Sequence, residues 1–230
     1  PKYDAQQDIY MDMLAELEAA VAQISGDSSM LANADSVFSG DGDKWKAFGN
    51  SMMLRLAMRM TKADPAAAQA WAVKASSGVM TSNAHIAAVT HTDGPEGINK
   101  NGHGEVFDVD SQMRMSATFG AHLAGDPRLS VLFAPGSNAS TIVGMPNGRT
   151  SDTYTGTDGV SYAGISDRNI YAQTNPVLRG KDVPMVLQTY AEVEFLLTEM
   201  AIRGWISSSA ETHYNNGVTA AMKMLKQLYP

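Results

Sequence analysis

Residues 190–205 read YAEVEFLLTEMAIRGW, and apolar side chains recur in this stretch at helical spacing. The side chains that share one helix face are Tyr190, Val193, Leu197, Met200 and Ala201. Gly204 follows the last of them and can end a helix, because glycine readily adopts the left-handed conformation. The pattern predicts a helix over residues 185–203 with one side packed against other helices.

Other stretches carry the same periodicity and recognisable start signals. The predicted helices are residues 4–24, 44–62, 66–80 and a last helix that ends near Leu228. Asp43 can cap the second helix, and Asp64 with Pro65 favours the start of the third. Ser208 and Glu211 form a capping box ahead of the last helix. Short turns between these helices predict stacked antiparallel pairs, although no clean 34-residue period is present.

Residues 81–184 interrupt the helical pattern. Residues 81–108 predict a long loop, residues 110–123 one helix, and residues 134–184 a polar excursion with short hairpins. The predicted fold is therefore mainly α. Tetratricopeptide-like helix pairs form a helical scaffold (residues 4–80 and 185–228), and residues 81–184 form a long irregular insertion of loops and short strands.

Five blocks resemble, in order, landmarks of the SusD/RagB-like family of nutrient-binding proteins. They are residues 42–59, 125–129, 144–148, 190–205 and 210–222. The resemblance implies a single SusD-like domain over residues 1–230, with a tetratricopeptide-like scaffold that carries a ligand-binding insertion. It further implies an outer-membrane, surface-exposed lipoprotein that binds an oligosaccharide or similar nutrient and delivers it to a TonB-dependent transporter.

The family's lipidated cysteine, secretion signal and parts of its terminal regions have no counterpart in this sequence, so we expect a fragment or trimmed form. Membrane attachment would then depend on a lipid anchor that this chain lacks. A formal net charge of −7 argues against a nucleic-acid partner, which needs a basic face. The absence of cysteine excludes disulfides and cysteine–zinc sites, and the short apolar runs predict no transmembrane helix.

Three glutamates on the predicted 185–203 helix raise the alternative of a glycan-active hydrolase. Glu192 and Glu199 lie seven residues apart, which places them on one face about 10 Å from each other. That separation is near the range of inverting glycosidases. Glu194 lies between them. Because these residues match the family's scaffold helix, we interpret them as structural and expect no enzyme activity.

Metal sites are also considered. His85, His91 and His103 share one predicted loop, but none forms the four-residue helical pair of zinc proteases. The acidic side chains from Asp93 to Asp110 could supply oxygen ligands to calcium, although their spacing is not that of an EF-hand. The expectation is no cofactor, with a structural calcium ion as the open alternative.

The candidate ligand-binding residues lie in the polar excursion. They are Asn147, Arg149, Asp152, Tyr154 and Tyr162, with Asp167 and Tyr171 nearby. Tyrosine rings can stack on the apolar faces of sugars, while amide, guanidinium and carboxylate groups bond their hydroxyls. The three tryptophans fall in or beside helices and are interpreted as packing residues. A repeat-type scaffold that binds only proteins remains the third hypothesis.

Overall fold

The computed structural model describes residues 3–25, 32–94, 99–109, 113–148 and 169–229. Across these residues it contains α1 (Gln6–Gln23), α2 (Gly42–Arg59), α3 (Pro65–Ser76), β1 (Ala87–Val89), α4 (Gly102–Val109), α5 (Ala117–His122), α6 (Leu129–Leu132), β2 (Phe133–Ala134), β3 (Gln173–Thr174), β4 (Met185–Gln188), α7 (Tyr190–Ile202) and α8 (Ala210–Leu228). The predicted mainly α fold with short strands is confirmed.

The chain divides into two compact units. The helical unit consists of residues 1–90 and 184–228, and the insertion unit consists of residues 91–183. The helical unit contains α1, α2, α3, α7 and α8, and its strands β1 and β4 pair antiparallel. The insertion unit contains α4, α5 and α6, and its strands β2 and β3 also pair antiparallel.

Packing in the helical unit follows the apolar faces of its helices. The principal helix pairs are α1 with α2, α2 with α3, and α7 with α8. Leu14, Leu54, Val193 and Met200 are all fully buried in one core. Burial of such side chains contributes about 1.5–3 kcal/mol each, so this shared core is what holds the helix pairs together.

Polar caps decide where the helices begin, and two caps differ from the predicted ones. The Asp41 carboxylate accepts the Lys44 amide at 3.1 Å, so α2 starts at Gly42, and Asp43 is not its cap. Ser209, and not Ser208, accepts the Thr212 amide ahead of α8. Asp64 caps α3 as predicted.

The start of the predicted 185–203 helix is also different. Residues 185–188 form strand β4, and the helix begins at Tyr190 after the Thr189 hydroxyl accepts the Glu192 amide at 3.0 Å. At the other end, Gly204 has φ +72°, and the Trp205 amide donates to the Met200 carbonyl at 2.9 Å. This left-handed helix end is the one that the sequence predicts.

The predicted helix over residues 110–123 is largely wrong. Among the described residues of that range only Ala117–His122 is helical, and it begins where Ser116 accepts the Phe119 amide. The amide of Met115 donates to Ala172 and its carbonyl accepts from Met145, so a helix cannot use them. Conversely, α4 lies in the predicted loop, because Asn101 caps it through the His103 amide at 2.9 Å.

Candidate functional site

Of the five predicted ligand-binding residues, the structure describes Asn147. Asn147 is exposed in a turn. Arg149, Asp152, Tyr154 and Tyr162 lie outside the described residues, as does Asp167. The structure therefore provides the position of Asn147 and of the chain on either side of residues 149–168.

Backbone hydrogen bonds fix the chain just before Asn147. The Met145 amide donates to the Met115 carbonyl at 2.7 Å, and the Ala117 amide donates back to Met145 at 2.8 Å. Gly144 packs so closely that an added Cβ would lie 2.5 Å from the Ala117 Cα. Any larger residue at Gly144 would push residues 143–145 away from Ala117. The glycine therefore sets where the exposed turn begins.

The chain that follows residue 168 is held by the same backbone. The Met115 amide donates to the Ala172 carbonyl at 2.9 Å, and the Ala172 amide donates to Val143 at 2.8 Å. The Asn169 carbonyl accepts the Asn138 amide at 3.0 Å. Three stretches of chain therefore meet at Met115, and we call this arrangement the Met115 ladder (residues 113–117, 143–145 and 169–172).

A guanidinium and two carboxamides lie beside the ladder. Arg114 Nη2 donates to Asn169 Oδ1 at 3.2 Å. With the Gln173 amide oxygen turned toward Arg114, that oxygen accepts from Nη1 at 3.0 Å and from Nη2 at 3.2 Å. These groups can hydrogen-bond sugar hydroxyls, but the sequence did not single them out, since Arg114 lay in a predicted helix. Tyr171, by contrast, is only 1% exposed, so it is a core residue and not a stacking platform.

Each of the three glutamates on α7 has a partner in the helical unit. Arg55 binds Glu192 through two contacts of 2.5 and 2.6 Å. Glu199 pairs with Arg203 one turn along the helix at 2.6 Å. Glu192 and Glu199 therefore each have an arginine partner within the helical unit, as the structural interpretation of these residues requires.

Glu194 is the buried member of the three, with its side chain 6% exposed. It accepts a hydrogen bond from the Tyr190 hydroxyl and contacts His213 Nδ1 at 2.6 Å, while His213 Nε2 lies 2.8 Å from Ser208 Oγ. Burial, and then the bond to Glu194, raises the pKa of Tyr190 to about 12. This network joins α7 to α8.

Lysines contact three of the acidic side chains that are candidates for calcium binding, while Glu96 and Asp110 lie outside the described residues. Lys100 Nζ lies 3.7 Å from Asp93 and 3.9 Å from Glu105, and Lys181 Nζ lies 2.5 Å from Asp108. The hydrogen bond to Asp108 raises the pKa of Lys181. Among the described residues, no three His, Asp or Glu side chains group so that they could hold a metal ion.

The tryptophans are partly buried against the core of the helical unit. Trp45 donates its ring N–H to Asp35 at 2.8 Å and meets the Phe38 ring edge-on. Burial alone would raise the pKa of Asp35, but hydrogen bonds from the Gly40 amide, Trp45 and two further amides lower it. Trp45 therefore orders the loop before α2.

The whole chain matches one protein-family model. The SusD-like family described as "Starch-binding associating with outer membrane" matches residues 1–228. No curated protein sequence matches the chain. Within the described residues, no helix has both the length and the apolar character that a membrane crossing requires.

Solved structures show the same fold. A chitin-binding protein is 31% identical, with a TM-score of 0.80, and the match covers 98% of this chain and 50% of that one. A chitin-binding SusD homologue from Flavobacterium johnsoniae is 28% identical over 97% of this chain and 45% of its own, with a TM-score of 0.80. A SusD homologue from Bacteroides thetaiotaomicron is 27% identical over 98% and 46%, also at 0.80.

The chain thus spans about half the length of the solved structures that it matches. A family model that extends over nearly every residue, and the helix pairs with their polar insertion, lead to the same assignment. The chain belongs to the SusD-like family.

Proposed function

We propose that this chain binds a neutral oligosaccharide, without changing it chemically, through the polar segment that begins at Asn147. The observation that carries the proposal is the Met115 ladder. It holds the backbone on both sides of residues 149–168, the segment that contains Arg149, Asp152, Tyr154 and Tyr162. The flanking residues Met145 and Ala172 are therefore already fixed by backbone hydrogen bonds without a ligand, and preorganisation of this kind favours binding.

The class of ligand follows from side-chain chemistry and from the family. The candidate residues supply two aromatic rings that can stack on sugars and several polar groups that can hydrogen-bond sugar hydroxyls. Their one guanidinium and one carboxylate cancel in charge, which favours a neutral ligand. Starch and chitin are the polymers in the descriptions of the family and of two similar proteins. Oligomers of glucose and of N-acetylglucosamine are therefore the first ligands to test.

The wider setting is part of the same proposal. In the full-length protein we expect lipid anchoring at the surface of the outer membrane and delivery of the ligand to a TonB-dependent transporter. Binding is proposed to need no cofactor and no calcium, because Lys100 and Lys181 already neutralise the acidic side chains near them. Co-purification with such a transporter, and loss of surface exposure when the lipidated cysteine is removed, would test these two points.

Isothermal titration against malto-oligosaccharides and N-acetylglucosamine oligomers tests the binding itself. The double variant Tyr154→Ala/Tyr162→Ala is expected to weaken binding at least ten-fold, because both stacking rings are removed. Tyr3→Ala is the matched control, since Tyr3 is 89% exposed and lies in the helical unit. Titration after dialysis against EDTA should give the wild-type affinity.

Three results would contradict the proposal. Release of shorter sugars during incubation would favour the hydrolase, and chromatography of the recovered ligand measures it. Capture of a protein partner with no affinity for any oligosaccharide would favour a protein-binding scaffold. Equal affinity of the wild type and the double tyrosine variant would move the site elsewhere.

A further inference from the structure

Two cavities in the helical unit share one arginine. The first, of about 330 Å³, lies where α1 begins and α2 ends, and Gln6, Gln7, Tyr10, Arg59 and Asp64 line it. The second, of about 420 Å³, includes Arg55, Arg59, Glu192 and Phe195. Each volume falls within the range of small-molecule sites. We call the two together the Arg59 cleft.

Arg59 differs from Arg55, which lies one helical turn earlier on α2. Arg55 is held by Glu192 and donates to the Leu187 carbonyl at 3.0 Å. Arg59 is exposed, and among the described residues no group pairs with its guanidinium. The N–H donors of Arg59 are therefore available to a ligand, and Arg59 lines both cavities.

The first cavity combines the groups that bind sugars. Gln6 and Gln7 contribute two carboxamides at the start of α1, and Tyr10 contributes a half-buried ring. One oxygen of Asp64 accepts the Ala67 amide at 3.0 Å, and its second oxygen is in none of the described hydrogen bonds. Arg59 and Asp64 balance in charge, so this cavity favours a neutral polar ligand over an ion.

The second cavity adds an aromatic face and a prepared ion pair. Phe195 is 39% exposed, and its ring packs against Tyr214 of α8 with 5.9 Å between the ring centroids. The Arg55–Glu192 pair is partly exposed and forms part of the lining, although its two side chains are already bonded to each other. Tyr10 lines one cavity, Phe195 lines the other and Arg59 lines both, and aromatic rings beside hydrogen-bond donors are what a hydroxyl-rich sugar chain needs.

We infer that the Arg59 cleft is a second saccharide-binding site, located on the helical unit and specific for neutral oligosaccharides. It rests on the proposed function for the class of ligand, but not for the location. Such a site would add a second binding event per protein molecule, which titration can count.

The test compares three variants by titration with two neutral probes, N-acetylglucosamine tetramer and maltotetraose. Arg59→Gln removes the guanidinium and keeps an amide. Lys62→Gln is the matched control, because Lys62 is an exposed cation three residues later that lines neither cavity. Tyr154→Ala/Tyr162→Ala addresses the insertion unit. We expect two binding events, with Arg59→Gln weakening one at least ten-fold and Lys62→Gln weakening neither.

Nuclear magnetic resonance supplies an independent readout. On addition of the tetramer, the side-chain Nε–H signal of Arg59 and the carboxamide signals of Gln6 and Gln7 should shift in the wild type. In Gln6→Ala the remaining shifts should require at least five-fold more ligand. Unchanged backbone amide spectra away from α1 and α2 would show that Arg59→Gln and Gln6→Ala are folded.

The outcomes separate this inference from the proposed function. Binding that survives Arg59→Gln but is lost in Tyr154→Ala/Tyr162→Ala overturns the second site alone. Binding that survives the tyrosine variant but is lost in Arg59→Gln supports the cleft and overturns the insertion site. Absence of binding to either oligosaccharide overturns both, and a single event that no variant alters also overturns the cleft.

Discussion

The three carboxylates of α7 should contribute very unequally to stability, although they lie within eight residues of one another. Glu194 is 4% exposed and is bonded to Tyr190 and His213. Glu192 binds Arg55 in a partly exposed pair, and Glu199 binds Arg203 at the surface. Replacement of each by alanine adds nearly the same helix propensity, so this contribution cancels in the comparison.

The size of each effect follows from burial. Glu194→Ala removes two hydrogen bonds to a charged group, each of which contributes about 1.5–3 kcal/mol. Because Tyr190 and His213 then partly regain hydrogen bonds to water, we expect the free energy of unfolding to fall by about 3 kcal/mol. The two-pronged pair lost in Glu192→Ala is worth about 1.5 kcal/mol. The exposed pair lost in Glu199→Ala is worth about 0.4 kcal/mol.

Urea unfolding followed by circular dichroism measures these free energies, with extrapolation to zero denaturant. For Glu194→Ala the melting temperature should fall by about 6–12 °C, at 2–4 °C per kcal/mol for a chain of this size. If Glu194→Ala and Glu199→Ala agree within about 0.5 kcal/mol, the buried network is not a stabilising one and the reasoning fails. An unchanged oligosaccharide affinity in Glu194→Ala and Glu199→Ala would agree with a structural role.

Further predictions concern single contacts. Because its folded-state pKa is raised from 10.0 to about 12, neutral Tyr190 stabilises the fold below pH 10, and this contribution is lost as the pH rises from 10 through 12. The difference in unfolding free energy between wild type and Tyr190→Phe should therefore shrink over that interval, and a constant difference would contradict it. Gly204→Ala should lower the free energy of unfolding, measured with urea, by about 1 kcal/mol, because Gly204 has a positive φ. Gly102→Ala should leave it unchanged, because Gly102 has an ordinary φ and open space around it. Trp45→Phe keeps the ring packing but loses the bond to Asp35, so thermal melting should show a loss of about 1 kcal/mol, and an unchanged melting temperature would refute the role of that bond.

Helices with a continuous apolar face could be predicted from the sequence, but their ends could not always be. Asp41 and Asp43 are both good caps, as are Ser208 and Ser209, and local sequence does not rank two equal residues placed so close together. Residues 185–188 are mostly apolar, and a short apolar run does not distinguish a buried strand from the first turn of a helix. Pairing with β1, which lies almost a hundred residues earlier, decides that they are a strand.

The candidate site was predictable only in part, because its framework is long-range. An Asn-Gly pair signals a turn, and Asn147 is in one. Met115, however, exchanges hydrogen bonds with Met145 and Ala172, and Arg114 reaches Asn169 across 55 positions. Tyr171 shares its polar sequence context with Tyr154 and Tyr162, and composition alone cannot tell that its side chain is buried.

Some polar side chains of this protein already have hydrogen-bond partners within the fold, and others keep donors that a ligand can bind. Arg55 and Arg59 are both arginines and lie one turn apart on α2. Of these two, only Arg55 has a partner among the described residues. A ligand that competed for Arg55 would have to replace the bonds to Glu192, whereas a ligand at Arg59 replaces only water. Binding therefore costs least where the fold leaves a donor unused. Substitutions at Arg59 should change affinity with little loss of stability, and substitutions at Glu194 should do the reverse.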